Sequence, residues 1–446
     1  MANTYLSNTY ADGGNHQIGT HSFWLKRNKI SADDEMVLRM TNGSQYFHFK
    51  FDTSDIFTIQ DYQGTHELYM RCAKEMRDVL SWYHVVVRID TTQATETDRV
   101  RLYINGELMT AFEQVYNGSA WVNTIYPTQN KNLYLGEQQT FYIGSTSSAN
   151  YFNGLMSHFH YCDGYSYGAD SFGSTDSTTG IWKINTSPSV SYGTNGFFIL
   201  KDGNSVTDQS GQSNNWTVGG GNLTNSEDCP SNVFTTLNPL QGGQAGTMGL
   251  MEGNLYLSGN GSSSWRAMGA TLAAKSGKFY WEGKIIGGVS QMRIGICDIE
   301  QIPGAAGTKF TVQSRGYGVD TSNLVNNNSN VGGFTVTSFT TDDILMFALD
   351  LDNAKFYVGK NGTWMNSGDP TTGSTGTGAA SITSGYYYTP CSEHYDSSAN
   401  FAYNFGNGYF RTTQISSEGT NASGIGKFEY DVPTGYTALS TKGLNE

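Results

Sequence analysis

His84 to Asp90 reads HVVVRID, and further on Val100 to Gly106 reads VRLYING. In the first stretch Val85, Val87 and Ile89 fall on one face at the two-residue period of a strand; in the second, Val100, Leu102 and Ile104 do the same. Thr91 to Asp98 between them is polar, and Asn105-Gly106 suits a tight turn whose two central residues take positive φ. The stretch predicts an antiparallel strand pair followed by a hairpin turn. The same order returns later as Asp343 to Asp350 (DILMFALD), a turn at Asp352-Asn353, Lys355 to Val358 (KFYV) and Asn361-Gly362. Two such copies predict two sandwiches of related plan. They are too few and too far apart for a solenoid or a propeller.

Composition points the same way. Among 446 residues only 15% are charged, while 54 are glycine and 13% aromatic, led by 28 tyrosines. Aromatics favour pleated, half-buried surfaces and glycines favour turns, so the chain is expected to be all-β, with two tandem antiparallel β-sandwich domains. The glycine-rich, uncharged runs Thr217 to Asn225 (TVGGGNLTN) and Leu240 to Gly249 (LQGGQAGTMG) bracket a join near 230–245, giving domains 1–235 and 245–446.

Several function classes are disfavoured. A net charge of −13 argues against nucleic acid, whose phosphates need clustered Lys and Arg. No apolar run is long enough for a membrane helix, and the first ten residues lack the basic and apolar regions of a signal peptide. Cys72, Cys162, Cys229, Cys297 and Cys391 form no CxxC pair and are odd in number, so a reduced set is expected.

Residues 15–220 resemble the laminin G-like, concanavalin-type sandwich family, which implies sandwiches of jelly-roll, concanavalin-like type. The resemblance is carried by Trp82-Tyr83-His84-Val85-Val86-Val87, Arg101-Leu102-Tyr103-Ile104-Asn105-Gly106, Phe141-Tyr142-Ile143-Gly144 and Phe152-Asn153-Gly154. Asp208-Gln209-Ser210-Gly211 with Asn214-Asn215-Trp216 is similar to that family's D-x-S-G…N turn. Residues 245–440 resemble the SPRY domain, through Gly277-Lys278-Phe279-Tyr280-Trp281-Glu282, Arg293-Ile294-Gly295-Ile296, Tyr317-Gly318-Val319, Asp350-Leu351-Asp352 with Phe356-Tyr357-Val358, Tyr403-Asn404-Phe405-Gly406 and Pro433-Thr434-Gly435-Tyr436. The pairing, opened by Phe23-Trp24-Leu25-Lys26-Arg27, resembles virion proteins of tailed phages. It implies a non-enzymatic fibre, decoration or adhesin on the virion surface, made in the host cytoplasm and oligomeric on the particle. Such a protein touches other virion proteins and recognises a host surface glycan or receptor. The alternatives are a purely structural capsid or tail-fibre subunit and, from the enzymes of the concanavalin-type fold, a glycan hydrolase.

The hydrolase alternative needs two carboxylates on one strand face. Ile296-Cys297-Asp298-Ile299-Glu300 places Asp298 and Glu300 at that spacing, but Ile296 stands where the hydrolase pattern has its leading Glu, so one carboxylate is missing. No cofactor is read from the residues. Calcium gathers about six to eight oxygens from separate loops, and Asp163 and Asp208 are the carboxylates to inspect for it. Asp33-Asp34-Glu35 reads as a charged loop, and His158 and His160 (HFH) alternate onto one strand face. Sugar recognition calls for aromatic faces beside short polar groups. Two loops offer these: Gly385 to Asp396, with Tyr386, Tyr387, Tyr388, His394 and Tyr395, and Trp121 to Asn130, with Trp121, Tyr126 and Asn130. Trp82 and Trp281 read as core.

Overall fold

In the computed structural model, which describes residues 3–445 other than 11–12, 29, 31–32, 80, 202–205, 240–248 and 260–262, both Asn-Gly turns close in the same way. Asn105 and Gly106 take φ of 50° and 80°, and Asn361 and Gly362 take 46° and 83°. The Asn105 Oδ1 accepts the His84 N–H at 2.8 Å, and the Asn361 Oδ1 accepts the Ile344 N–H at 2.8 Å. In each copy the turn asparagine adds a rung to the ladder that it closes. Beneath the turns, Val85, Val87 and Ile89 enter one core with Val100, Leu102 and Ile104, while Leu345, Phe347 and Leu349 enter another with Phe356 and Val358.

The chain divides into two units, residues 1–225 and 226–446. The first contains a seven-stranded sheet running, in spatial order, Thr217–Gly220, Tyr5–Thr9, Thr140–Ile143, Glu35–Thr41, Tyr46–Phe51, Phe57–Tyr62 and His66–Arg71. Its partner is six-stranded: Phe197–Ile199, Gly154–Asp163, Ile18–Arg27, Tyr83–Asp90, Val100–Ile104 and Glu107–Leu108. Every pairing in both sheets is antiparallel. The core between them is aromatic, with Phe23 stacked on Phe159 at 4.8 Å and Phe47 edge-on to Phe49 at 5.1 Å. Val86, on the opposite face from its neighbours, is buried as well. It lies in a smaller cluster with Ala169, Phe172, Tyr192 and Phe198, so much of this strand reads as a continuous apolar run.

The second unit has a six-stranded sheet ordered Arg266–Gly269, Tyr388–His394, Met292–Asp298, Gly316–Val319, Leu324–Asn326 and Ser329–Asn330. The facing sheet runs Gly249–Met251, Tyr256–Ser258, Asn400–Asn404, Lys278–Gly287, Ile344–Asp350, Lys355–Lys360 and Thr363–Trp364. Thr437–Ala438 joins it as a parallel neighbour of Phe279–Tyr280. Trp281 fills the middle, stacked on Phe347 at 5.4 Å and fully buried; Trp82 is buried too.

The division falls earlier than composition suggests. Residues 226–235, assigned from the sequence to the first domain, lie with the second unit: Phe234 bridges to Ser440, and the Thr235 N–H donates to the Leu439 carbonyl at 3.0 Å. The run TVGGGNLTN is not a bare connection either. Thr217–Gly220 is an edge strand, and its glycines leave room for the Tyr5 ring, since a Cβ on Gly219 would lie 2.2 Å from that ring. Most of LQGGQAGTMG lies outside the described residues.

All five cysteines are free thiols, four of them buried. Burial pushes Cys162, Cys297 and Cys391 well above the usual thiol range, which keeps them protonated and unreactive. Titration with a thiol reagent in denaturant is expected to count five thiols, and a reducing agent to leave the melting temperature unchanged. A reductant-sensitive melting temperature would mean that a disulfide contributes to stability.

Candidate functional site

Val115–Tyr116 and Trp121–Val122 form a two-stranded ribbon in the first unit. Asn117 closes it: its side-chain oxygen accepts the Ser119 and Ala120 N–H groups at 3.0 and 2.9 Å, and Gly118 takes φ of 101°. Val115 is fully buried and anchors the ribbon, so the period of two turns its neighbour Tyr116 outward. Tyr116 pairs in register with Trp121, their ring centroids 5.8 Å apart at 58°. Trp121 is 63% exposed and Tyr116 48%. The asparagine, serine and threonine side chains of Asn117, Ser119, Asn123 and Thr124 flank the pair in sequence. Tyr116 escaped the reading of the sequence, although the order Tyr-Asn-Gly-Ser-Ala-Trp does place an aromatic on each side of one turn.

The other two residues of that loop lie in different surroundings. Ile125 exchanges both backbone hydrogen bonds with Tyr69, and Tyr126 is half-buried against the first core, where burial raises its phenol pKa. Asn130 takes φ of 60° and serves as a turn: its N–H donates to the Thr91 carbonyl and its carbonyl accepts from the Gln17 amide.

Gly385 to Asp396 is not one loop. Tyr388–His394 is an inner strand, buried along its whole length, with neighbours on both sides. Tyr388 is core, and its hydroxyl donates to the Thr383 carbonyl at 2.9 Å. His394 is buried, with Nδ1 bonded to the Ala399 carbonyl, and burial lowers its pKa to about 4. The strand separates the remaining tyrosines. Tyr386 and Tyr387 precede it, exposed, with the Arg315 guanidinium 4.0 Å from the Tyr386 centroid and the Lys275 ammonium 5.8 Å from that of Tyr387. The Tyr387 carbonyl accepts the N–H of Ile299, itself exposed, so three large apolar groups share that surface. Tyr395 follows the strand, 5.4 Å from Trp265, over which the Lys309 ammonium sits at 4.4 Å.

The two carboxylates at hydrolase spacing do not form a pair. Asp298 ends its strand, is 1% exposed and accepts the Arg315 Nε at 2.5 Å. Its other oxygen accepts the Glu300 N–H and caps the 3₁₀ turn Ile299–Gln301, so Glu300 leaves the strand and the two do not share a face. Two further carboxyls, Glu282 and Glu393, have no exposed surface. Burial raises Glu282 to about 7, against the pull of donors from Tyr280, Glu429, Tyr430 and Asn404. Glu393 is raised by burial and held by Thr311 and Arg293. Groups sealed in this way cannot reach a substrate bond.

The metal candidates are likewise occupied. Asp163 accepts the N–H groups of Asn15 and Asn195 at 2.7 and 3.0 Å. Asp208 accepts from the N–H groups of Phe198, Ser210 and Asn214 and from the Ser210 hydroxyl, at 2.7–2.9 Å. N–H dipoles pointing at a carboxylate oppose a cation, and both aspartates act as turn clamps instead. In the acidic run, Asp34 pairs with Lys50 and Glu35 with Arg27. His158 and His160 do not alternate onto one face, because a bulge puts His158 at φ of 48°; both are buried, with His160 bonded to the Tyr192 hydroxyl. Among the described residues, no group of three or more His, Cys, Asp or Glu could hold a metal ion, and no helix is long and apolar enough to cross a membrane.

No curated protein matches the chain. Among solved structures it is similar to the SPRY domain of human HERC1 at 18% identity, covering 37% of this chain and 96% of that one with a TM-score of 0.30. It is similar to the TRIM65 PSpry domain at 13% identity, covering 38% and 88% with a TM-score of 0.28. A heptameric SAP-like pentraxin from Limulus polyphemus is similar at 12% identity, covering 35% and 69% with a TM-score of 0.25. By fold the chain is two tandem antiparallel β-sandwiches, the first of which matches the concanavalin A-like lectin/glucanases superfamily over residues 3–166.

Proposed function

We propose that the chain is a non-enzymatic recognition protein that holds a glycan-bearing surface through the exposed pair Tyr116–Trp121. That pair carries the reading. Two large aromatic rings set side by side on an anchored ribbon gain little from the fold, yet they present flat faces on which the CH groups of a sugar stack. The hydroxyls of such a ligand are matched by the short amide and hydroxyl side chains nearby in sequence. The biological setting we propose is the outer surface of a tailed-phage virion, which rests on the resemblance of the tandem modules to proteins of such particles. A second reading, contact with another virion protein, is favoured by the surface of Ile299, Tyr386 and Tyr387, whose flanking cations suit a protein rim better than a neutral sugar.

A glycan array probed with the full chain tests the proposal, together with product analysis of every glycan retained. Retention without cleavage is the expected result. Cleavage that disappears in the double variant Asp298→Asn, Glu300→Gln would make the chain a hydrolase, and an array with no retained glycan would favour the protein contact.

A further inference from the structure

The D-x-S-G…N-N turn has no part in the ribbon, and the first unit shows what it builds. Residues 8–10, 194–195 and 213–215 line a cleft of about 330 Å³, within the range of about 300–1,000 Å³ typical of small-molecule sites. Among the described residues, no charged side chain lines it. Four of its residues are asparagines and three carry aliphatic hydroxyls.

Its walls are fixed from behind. Asp208 gathers the turn through its four donors, and Asn215 Oδ1 accepts the Asp208 N–H at 2.8 Å. The Asn214 amide then ties this wall to the opposite one, donating to the Thr194 and Gly196 carbonyls at 2.9 and 2.8 Å. Asp163 holds Asn195 by its N–H. Such support keeps a binding group in place before a ligand arrives. With its oxygen engaged, Asn215, which is exposed, keeps an Nδ2 without a protein partner among the described residues. Ser213, also exposed, holds its position at φ of 64°. Tyr10, one of the lining residues, is 3% exposed, with the Asn8 side chain beside its hydroxyl.

We infer that this cleft is a second glycan subsite of the first unit, built for a neutral, polyhydroxylated sugar. This rests on the glycan-recognition reading and adds a place and a ligand class to it. A sugar hydroxyl donates and accepts at once, and a carboxamide offers both counterparts within one planar group. An acidic sugar is repelled by Asp163 and Asp208 behind the walls. An amino sugar finds no carboxylate among the described lining residues to pair with.

The test is NMR on the full chain with labelled asparagine side-chain amides, titrated with methyl α-glucoside, methyl β-galactoside, methyl N-acetyl-β-glucosaminide and, as the charged counterpart, glucuronate. At least one neutral glycoside is expected to shift the Asn8 and Asn215 amide signals saturably, while glucuronate leaves them in place. Asn215→Asp puts a charge at an exposed position, and Ser213→Asp does so at a left-handed position that Asp tolerates. Each is expected to weaken that binding about tenfold or more. Silence of the cleft amides with all three neutral glycosides, shifts confined to other residues, or equal binding of glucuronate would overturn the inference. The ribbon is scored separately. If Trp121→Ala abolishes array binding while the cleft is silent, only the cleft is lost; cleft shifts with an empty array leave the cleft standing and remove the ribbon.

Discussion

Lowering the pH from neutral to about 5 is expected to destabilise the first unit far more than the second. Seven of the eight histidines lie in the first unit. His21 and His84 are buried, and burial lowers both to about 3. His48 and His160 are held well below the ordinary value for the same reason. A histidine kept neutral in the fold contributes its full share above its unfolded pKa, near 6.5, and loses it as the unfolded chain takes up protons below that. At about 1.4 kcal/mol per pH unit, His21 and His84 together forfeit about 4 kcal/mol by pH 5. His48 and His160 add to this, and Asp61, raised by burial to about 6, returns about 1 kcal/mol. In the second unit the signs nearly cancel. His394, at about 4, loses about 2 kcal/mol, whereas Glu282, at about 7, is relieved of a buried charge and regains about 3 kcal/mol. Thermal melts at both pH values, with the surviving body identified by proteolysis, check this. A resistant fragment from 226–446 at pH 5 is expected, and one from 1–225 would contradict it.

Alternation was legible wherever one period of residues faced a core, as in HVVVRID and DILMFALD. It failed where both faces of a buried strand carry polar residues. Tyr388–His394 (YTPCSEH) has a proline, a serine, a glutamate and a histidine, all buried in an inner strand. Glu393 is tolerated there because Arg293 and Thr311, distant in sequence, meet it, and His394 because Ala399, on the next turn of chain, accepts its ring N–H. Two-residue strands such as Val115–Tyr116 carry too short a pattern to register, which is why Trp121 was legible as an aromatic and Tyr116 was not. Asp163 and Asp208 were visible as carboxylates, but the N–H groups that saturate them come together only in the fold.

Arg27→Ala is expected to cost the first unit about 3–5 kcal/mol. The guanidinium has no exposed surface, pairs with Glu35 at 3.0 Å and Asp55 at 2.5 Å, and lies 4.0 Å over the Phe51 ring. Truncation leaves two buried carboxylates facing each other across a void, with Arg77 reaching only the outer oxygen of Asp55. For a unit of this size the loss lowers the melting temperature by about 6–20 °C. The triple variant Arg27→Met, Glu35→Gln, Asp55→Asn removes all three charges and is expected to recover most of it. Equal destabilisation of the single and triple variants would show that the apolar stem of Arg27, not its charge, is what the site needs.

Binding of the best-retained array glycan to the full chain, compared with the double variant Tyr116→Ala, Trp121→Ala and with Tyr387→Ala, addresses the central claim most directly. The two ribbon rings are exposed and outside the core, so their removal is expected to weaken binding about tenfold or more at an unchanged melting temperature. Tyr387→Ala is expected to leave binding as it was. Full binding by the ribbon variant, or loss confined to the Tyr387 variant, would contradict the assignment of recognition to the first unit's ribbon.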